Sequence, residues 1–149
     1  MKPPYTGQCM CGETRYRLNE EPVTVYACHC TDCQKRSGGA FGISLWAPRN
    51  AMEVIQGEAP RHSVPTSDGR MRHFRICRRC LTKLWSEPER RPDLAIVRGG
   101  TLDDTSWLKP VAHMWMRSAQ PWLTLPKGVK RYETQPENFA ELIDLWRKR

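Results

Sequence analysis

Cys9-Met10-Cys11 near the start of the chain and Cys77-Arg78-Arg79-Cys80 past its midpoint read as two halves of one metal site. In an extended segment residues i and i+2 face the same side, so a CxC pair aims two sulfurs at one ion, and a CxxC pair does the same around a tight turn. Four such sulfurs complete a tetrahedron, the arrangement of structural zinc, which holds thiolates at about 2.3 Å. A staple of this kind ties the first strand region to a distant hairpin and suits a small β domain. The other three cysteines fall within Cys28-His29-Cys30-Thr31-Asp32-Cys33, close enough for one ion to take all three at little loop-closure cost.

Seven cysteines is an odd number, and their spacing is chelating. Reduced thiols in a cytoplasmic protein explain that more simply than a disulfide framework with one thiol left over. The N-terminus, Met1-Lys2-Pro3-Pro4-Tyr5, lacks the apolar run of a signal peptide, and no stretch of about 18 apolar residues offers a membrane span. At 149 residues, with no Gly/Ser-rich or acidic divider, the chain reads as one folding unit, residues 1–149.

Short β-type runs at residues 14–18, 23–27, 41–46, 52–56, 73–77, 94–97 and 112–115 are punctuated by Gly, Pro, Asn and Asp. With no long amphipathic helices between them, they point to a mainly antiparallel β domain rather than a parallel sheet with crossover helices. Two helices are expected. Thr134 and Glu137 have capping-box spacing, and Phe139, Leu142, Ile143 and Trp146 follow on one helical face. A shorter helix over residues 32–37, with Thr31 and Gln34 at the same spacing, places Cys33 in its first turn, where free N–H groups favour a thiolate. Prolines between residues 110 and 126 mark loops and turns.

The formal charge of +8 is compatible with nucleic acid, acidic surfaces or small anionic substrates. Lys and Arg are spread along the chain, however, and three or four thiolates around a dication leave negative charge that Arg75, Arg78 and Arg79 stand ready to offset. Nucleic acid is thus the disfavoured partner, and a monomer or homodimer is expected.

A three-cysteine centre keeps a fourth position open unless a protein ligand fills it, and an open position separates catalytic from structural zinc. His29 and His113 are the candidate fourth ligands, and a triad without metal is the remaining alternative. In an extended segment His29 points away from Cys28 and Cys30, toward a supporting or surface role. Three thiolates donate much charge to the ion, so such a centre acidifies water less than a three-histidine one while still exchanging a substrate thiolate. Among the aromatics, Trp46, Trp85, Trp107, Trp115, Trp122 and Trp146 are read mainly as core. Arginines around Phe74 in the sequence also raise the prospect of a stacking platform, and His113 with Trp115 is the candidate pocket pair. Asp103 and Asp104 are adjacent and face opposite ways in a strand, which favours a turn role over a carboxylate dyad.

In order and spacing, Gly7-Gln8-Cys9-Met10-Cys11-Gly12, the stretch from Cys28 to Phe41, and residues 74–84 resemble the glutathione-dependent formaldehyde-activating (GFA) family, whose domain type also occurs in a vertebrate centromere-associated protein. Gly99-Gly100-Thr101-Leu102-Asp103-Asp104, His113-Met114-Trp115 and Pro121-Trp122 are similar to its C-terminal half. The resemblance implies a mostly β fold of the Mss4-like, β-tent type, a structural zinc on Cys9, Cys11, Cys77 and Cys80, and a second, catalytic zinc on Cys28, Cys30 and Cys33. It also implies the family's founding activity, the joining of formaldehyde and glutathione to S-(hydroxymethyl)glutathione, classed with the carbon-sulfur lyases. The competing expectation is a non-catalytic zinc module that binds protein or nucleic acid. One departure is visible: where the family has glycine after CxxC, this chain has Leu81, so a turn that favours positive φ must be built differently or tolerate a branched residue.

Overall fold

The computed structural model describes residues 2–66 and 68–149. Its strands are β1 (Tyr5–Gln8), β2 (Arg15–Leu18), β3 (Thr24–Cys28), β4 (Gly42–Pro48), β5 (Met52–Gln56), β6 (Arg61–Pro65), β7 (Met71–Ile76), β8 (Lys83–Glu87), β9 (Leu94–Arg98), β10 (Ala112–Met114) and β11 (Lys130–Arg131). The helices are α1 (Thr31–Ser37) and α2 (Ala140–Arg147). A small sheet has the order β1-β2-β5, and a large one the order β11-β10-β3-β4-β9-β8-β7-β6. The fold is mainly β as the sequence implied. Neighbours are antiparallel, except that β10 runs parallel to both β3 and β11.

Period-two alternation explains why the centre of the large sheet is buried on both faces. In β3, Val25 packs in one apolar cluster while its neighbour Tyr26 packs in the other, and in β4 Leu45 and Trp46 divide in the same way. The first cluster lies between the two sheets, where Tyr5, Tyr16, Leu18 and Met52 of the small sheet meet Leu45, Trp85 and Val97 of the large one. The second holds Tyr26, Trp46 and Leu94 with Leu142 of α2. Phe139, just before α2, stacks on Trp46 at 5.2 Å. The Thr24 hydroxyl donates to the Leu142 carbonyl at 2.8 Å, fixing the helix against β3.

All seven predicted runs are strands in the structure, with ends shifted by a residue or two, but β1, β6, β8 and β11 were not expected. β6 is polar and exposed, and pairing with β7 rather than its own pattern makes it a strand. In β1 the pattern is broken by Gly7, which is required there: a Cβ would overlap the Tyr16 ring and come within 2.5 Å of the Thr101 carbonyl oxygen. The expected capping box of α2 does not form. Pro136 lies between Thr134 and the helix, the Thr134 carbonyl accepts from Trp115 N–H, and the Asn138 side chain accepts from Ala140 N–H at 2.8 Å instead. α1 begins one residue earlier than predicted, and its cap is not Thr31 but Cys30, whose sulfur accepts from Cys33 N–H.

Candidate metal centres and the cleft beside them

The loop after β1 and the turn between β7 and β8 bring Cys9, Cys11, Cys77 and Cys80 together, with all four sulfurs within 4.8 Å of one another. The Cys9–Cys11 and Cys11–Cys77 sulfur distances are 3.5 and 3.7 Å. A tetrahedron of thiolates at zinc's bond length has edges of about 3.8 Å, so the sulfurs stand close to where zinc would hold them. Backbone hydrogen bonds shape both arms: Cys9 N–H donates to the Thr14 carbonyl, and Thr14 N–H returns to the Cys9 sulfur at 3.3 Å. On the other arm Leu81 N–H donates to the Cys77 carbonyl, and Leu81 takes φ +60°. The turn therefore keeps its left-handed geometry and tolerates leucine, whose side chain is 66% exposed. The Thr82 hydroxyl, 3.1 Å from Cys80 Sγ, stabilises its thiolate and lowers its pKa to about 5.

The expected compensation by neighbouring arginines is not seen for two of the three, Arg75 and Arg78. Arg75 turns to Glu87 at 3.0 Å and Arg78 to Glu58 at 3.6 Å, so each spends its charge on a carboxylate.

Cys28 at the end of β3, Cys30 at the cap of α1 and Cys33 in its first turn form the second group, again with sulfurs within 4.8 Å of one another. Hydrogen bonding from the Cys28 and Cys33 thiols holds Cys30 far below the usual thiol range, and the same contacts push Cys28 far above it. The triad thus accepts one negative charge readily and resists the second and third. A divalent cation removes that resistance, and an all-sulfur donor set suits zinc among the common divalent ions. Among the described residues neither metal-ligand group contains a histidine or carboxylate, so the triad converges without a fourth protein ligand.

His29 does point away from the cysteines that flank it, into the interior rather than to the surface: it is fully buried. Its Nε2 lies 2.9 Å from His113 Nδ1, and its ring packs on Phe41 at 5.1 Å. Burial pulls His113 down to about 4, with His29 and Arg131 adding to the effect, so the pair is neutral near pH 7. Sequence reasoning missed the residues that fix this loop. Gln34 Nε2 donates to the carbonyls of His29 and Ser118 at 2.7 Å each, the Ser118 hydroxyl donates to the same His29 carbonyl, and Gln120 donates to the Gln34 side-chain oxygen. Trp115, two residues beyond His113, is half-buried at φ +60° with the Arg117 guanidinium 4.8 Å over its ring. Trp122 is exposed, whereas Trp46, Trp85 and Trp146 are core as expected. Asp104 accepts from Ser106 N–H in a turn, and Asp103 pairs with Arg15 and accepts from the Thr6 hydroxyl.

A cleft of about 470 Å³ opens beside the triad, lined by Arg36, Phe41, Gly42, Leu81, Lys83 and Arg98 among others. The cations on Phe74 are not the arginines flanking it in sequence but Arg36, Lys83 and Arg98, at 5.1, 4.9 and 5.8 Å from the ring centre.

These features define a β protein with two thiol centres, one four-sulfur and closed, the other three-sulfur and open. The profile of the family described as glutathione-dependent formaldehyde-activating enzyme matches residues 4–118, and the chain belongs to that family. No curated protein matches it. The crystal structure of a Rhodobacter sphaeroides protein is similar in fold, with a TM-score of 0.53 at 16% identity over 85% of this chain and 98% of the other. Among the described residues no helix is long and apolar enough to cross a membrane.

Proposed function

We propose that the chain is a zinc-dependent enzyme of carbon-sulfur chemistry, acting on a small thiol such as glutathione and an aldehyde of the formaldehyde type in the reducing cytoplasm. The observation that carries this reading is the convergence of Cys28, Cys30 and Cys33 without a fourth protein ligand. In this reading Cys9, Cys11, Cys77 and Cys80 hold a structural zinc, and the triad holds the second. That zinc would supply an open Lewis-acidic position suited to a thiol sulfur.

The chain's own residues do the rest. α1 presents its first-turn N–H groups to the triad, stabilising negative charge on sulfur. The neutral His29–His113 pair, with Gln34 and Ser118 clamping the His29 carbonyl, holds the Cys28–Cys30 segment in place and gives His113 its part in the site. Arg36, Lys83 and Arg98 offer charge-assisted bonds to the anionic groups of the thiol. In the forward reaction the sulfur attacks the carbonyl carbon, a C–S bond forms, and the thiol proton ends on the former carbonyl oxygen.

Metal analysis of the purified protein tests this. We expect two zinc ions per chain, falling to one in Cys30→Ser with loss of thiol-aldehyde adduct turnover. One zinc in both proteins, or turnover unchanged by the substitution, leaves the non-catalytic zinc module as the better reading.

A further inference from the structure

The cleft beside the triad holds more positive charge than its internal partners, Asp32 and the Cys33 sulfur, offset. Arg36 leaves only 12% of its side chain exposed, and its carboxylate partner Asp32 lies at 3.9 Å, a loose ion pair. Among the described residues Lys83 and Arg98 make no ion pair, in contrast to Arg15, Arg17, Arg75 and Arg91, each of which has a carboxylate within 3.1 Å. The three cations gather about one buried ring, and burial lowers the pKa of both Arg36 and Lys83, with repulsion from Arg72 and Arg98 adding to it at Arg36 and repulsion from Arg36 and Arg98 at Lys83. Partly buried cations without partners are costly unless something completes them. Phe74 offsets part of that cost, and an anion in the cleft offsets the remainder.

The cleft also lies next to the triad. A side-chain carbon placed on Gly42 would be 3.4 Å from Arg98 Nη1 and 3.9 Å from Cys33 Sγ, so guanidinium and thiol flank the same glycine. Arg36 is one helical turn from Cys33 on α1. Among the described residues no Asp or Glu lines the cleft, which leaves no carboxylate there to pair with a substrate ammonium, and Phe41, Ile43 and Leu81 supply an apolar wall for a short hydrocarbon spacer.

Building on the reading of the triad as a thiol site, we infer that the preferred substrate is a compact thiol whose far end carries two neighbouring negative charges and no ammonium, a dicarboxylate or a phosphate. Arg36, Lys83 and Arg98 with Arg72 beside Arg36 make four cations, and Asp32 and the one negative charge of the triad offset two of them, which leaves two positive charges to match; glutathione fits this less well, because its carboxylates lie at opposite ends and one is accompanied by an ammonium.

The test uses full-length protein with cobalt(II) in place of zinc, titrated with mercaptosuccinate, glutathione and 2-mercaptoethanol while thiolate-to-cobalt absorption is followed. Mercaptosuccinate is expected to bind at least tenfold tighter than glutathione and about a hundredfold tighter than the neutral thiol. Lys83→Gln and Arg98→Gln should each remove roughly tenfold of that preference, the usual effect of one charge-assisted bond. Circular dichroism confirms that both variants are folded. Succinate and inorganic phosphate, added as competitors, identify which anion the cleft prefers. Equal affinities for the three thiols, or a mercaptosuccinate affinity unmoved by both substitutions, overturns the inference while leaving the thiol site intact. Should none of the thiols alter the spectrum, the thiol-site reading fails, and calorimetry with inorganic phosphate and with succinate decides the cleft separately: binding by either that Lys83→Gln weakens keeps it as a dianion site, and no binding of either removes it.

Discussion

Replacing Phe74 with leucine tests whether the ring is a platform for cations or merely filler in the core. The ring is fully buried, so Phe74→Leu leaves a small cavity, and a change of that size in a packed core costs about 1 to 1.5 kcal/mol. To this is added the loss of attraction to three cations at 4.9 to 5.8 Å. Such contacts are worth about 0.5 to 1 kcal/mol at exposed sites and about 2 when desolvated. Arg36 and Lys83 lie between these limits, and together the three should add roughly 2 to 3 kcal/mol, giving a total near 4. Packing loss and cation loss are separated by a double-mutant cycle with Lys83→Met, which keeps the hydrocarbon stem but removes the charge. Urea unfolding followed by tryptophan fluorescence, at a fixed buffered zinc concentration, measures each corner of the cycle. A coupling of about 1 kcal/mol between the two substitutions is expected. A coupling below about 0.3 kcal/mol would show that Lys83 gains nothing from the ring, and the account of the cationic cleft would lose its foundation.

Gly7→Ala should destabilise by about 3 kcal/mol in the same assay, since the new methyl meets the Tyr16 ring and the Thr101 carbonyl, neither free to retreat in the core; an effect under 1 kcal/mol would contradict the close packing of β1. Cys11→Ser should lower thermal stability sharply along with zinc content, whereas Cys30→Ser should lose a zinc with a much smaller change in stability; equal losses would mean that both centres are structural. His113 takes its proton near pH 4 in the fold and near 6.5 when unfolded, so it supports stability above pH 6.5 and withdraws that support as pH falls toward 4. That withdrawal amounts to roughly 2 kcal/mol after a discount for screening, and comparison with His113→Gln isolates it from thiol protonation; identical acid-side stability curves for the two proteins would refute it.

The thiol centres were legible in the sequence because chelating spacing is local: each cysteine pair reports its own geometry whatever the rest of the chain does. The division into four and three followed from proximity along the chain. The central strands were legible for a similar reason, since β3, β4 and β9 carry runs of apolar residues dictated by burial on two faces. β6 and β11 were not, because an edge strand or a two-residue pairing takes its conformation from a neighbour. The cleft was hidden for a deeper reason. Arg36, Lys83 and Arg98 sit on α1, β8 and β9, and only the order β9-β8-β7 sets Lys83 and Arg98 near Phe74. The arginines near Phe74 in sequence pointed to the right ring but supplied the wrong cations, as Arg75 is drawn off by Glu87.

The two centres are not independent in this architecture. Cys80, Leu81, Thr82 and Lys83 are consecutive, so the turn that delivers a sulfur to the four-cysteine centre also delivers the cleft's apolar rim and one of its cations. The opposite side of the cleft is set by α1, which carries Cys33 and Arg36 together. A metal bound by the four cysteines therefore fixes one wall and a metal bound by the triad fixes the other. Loosening the Cys77–Cys80 turn moves Lys83 relative to Arg98 without touching a triad ligand. Leu81 concentrates this coupling, because its left-handed backbone is held by the Cys77 carbonyl while its exposed side chain forms part of the cleft mouth. Glycine would take that φ with less strain, and keeping leucine there is what a site gains from when it needs an apolar wall beside its cations.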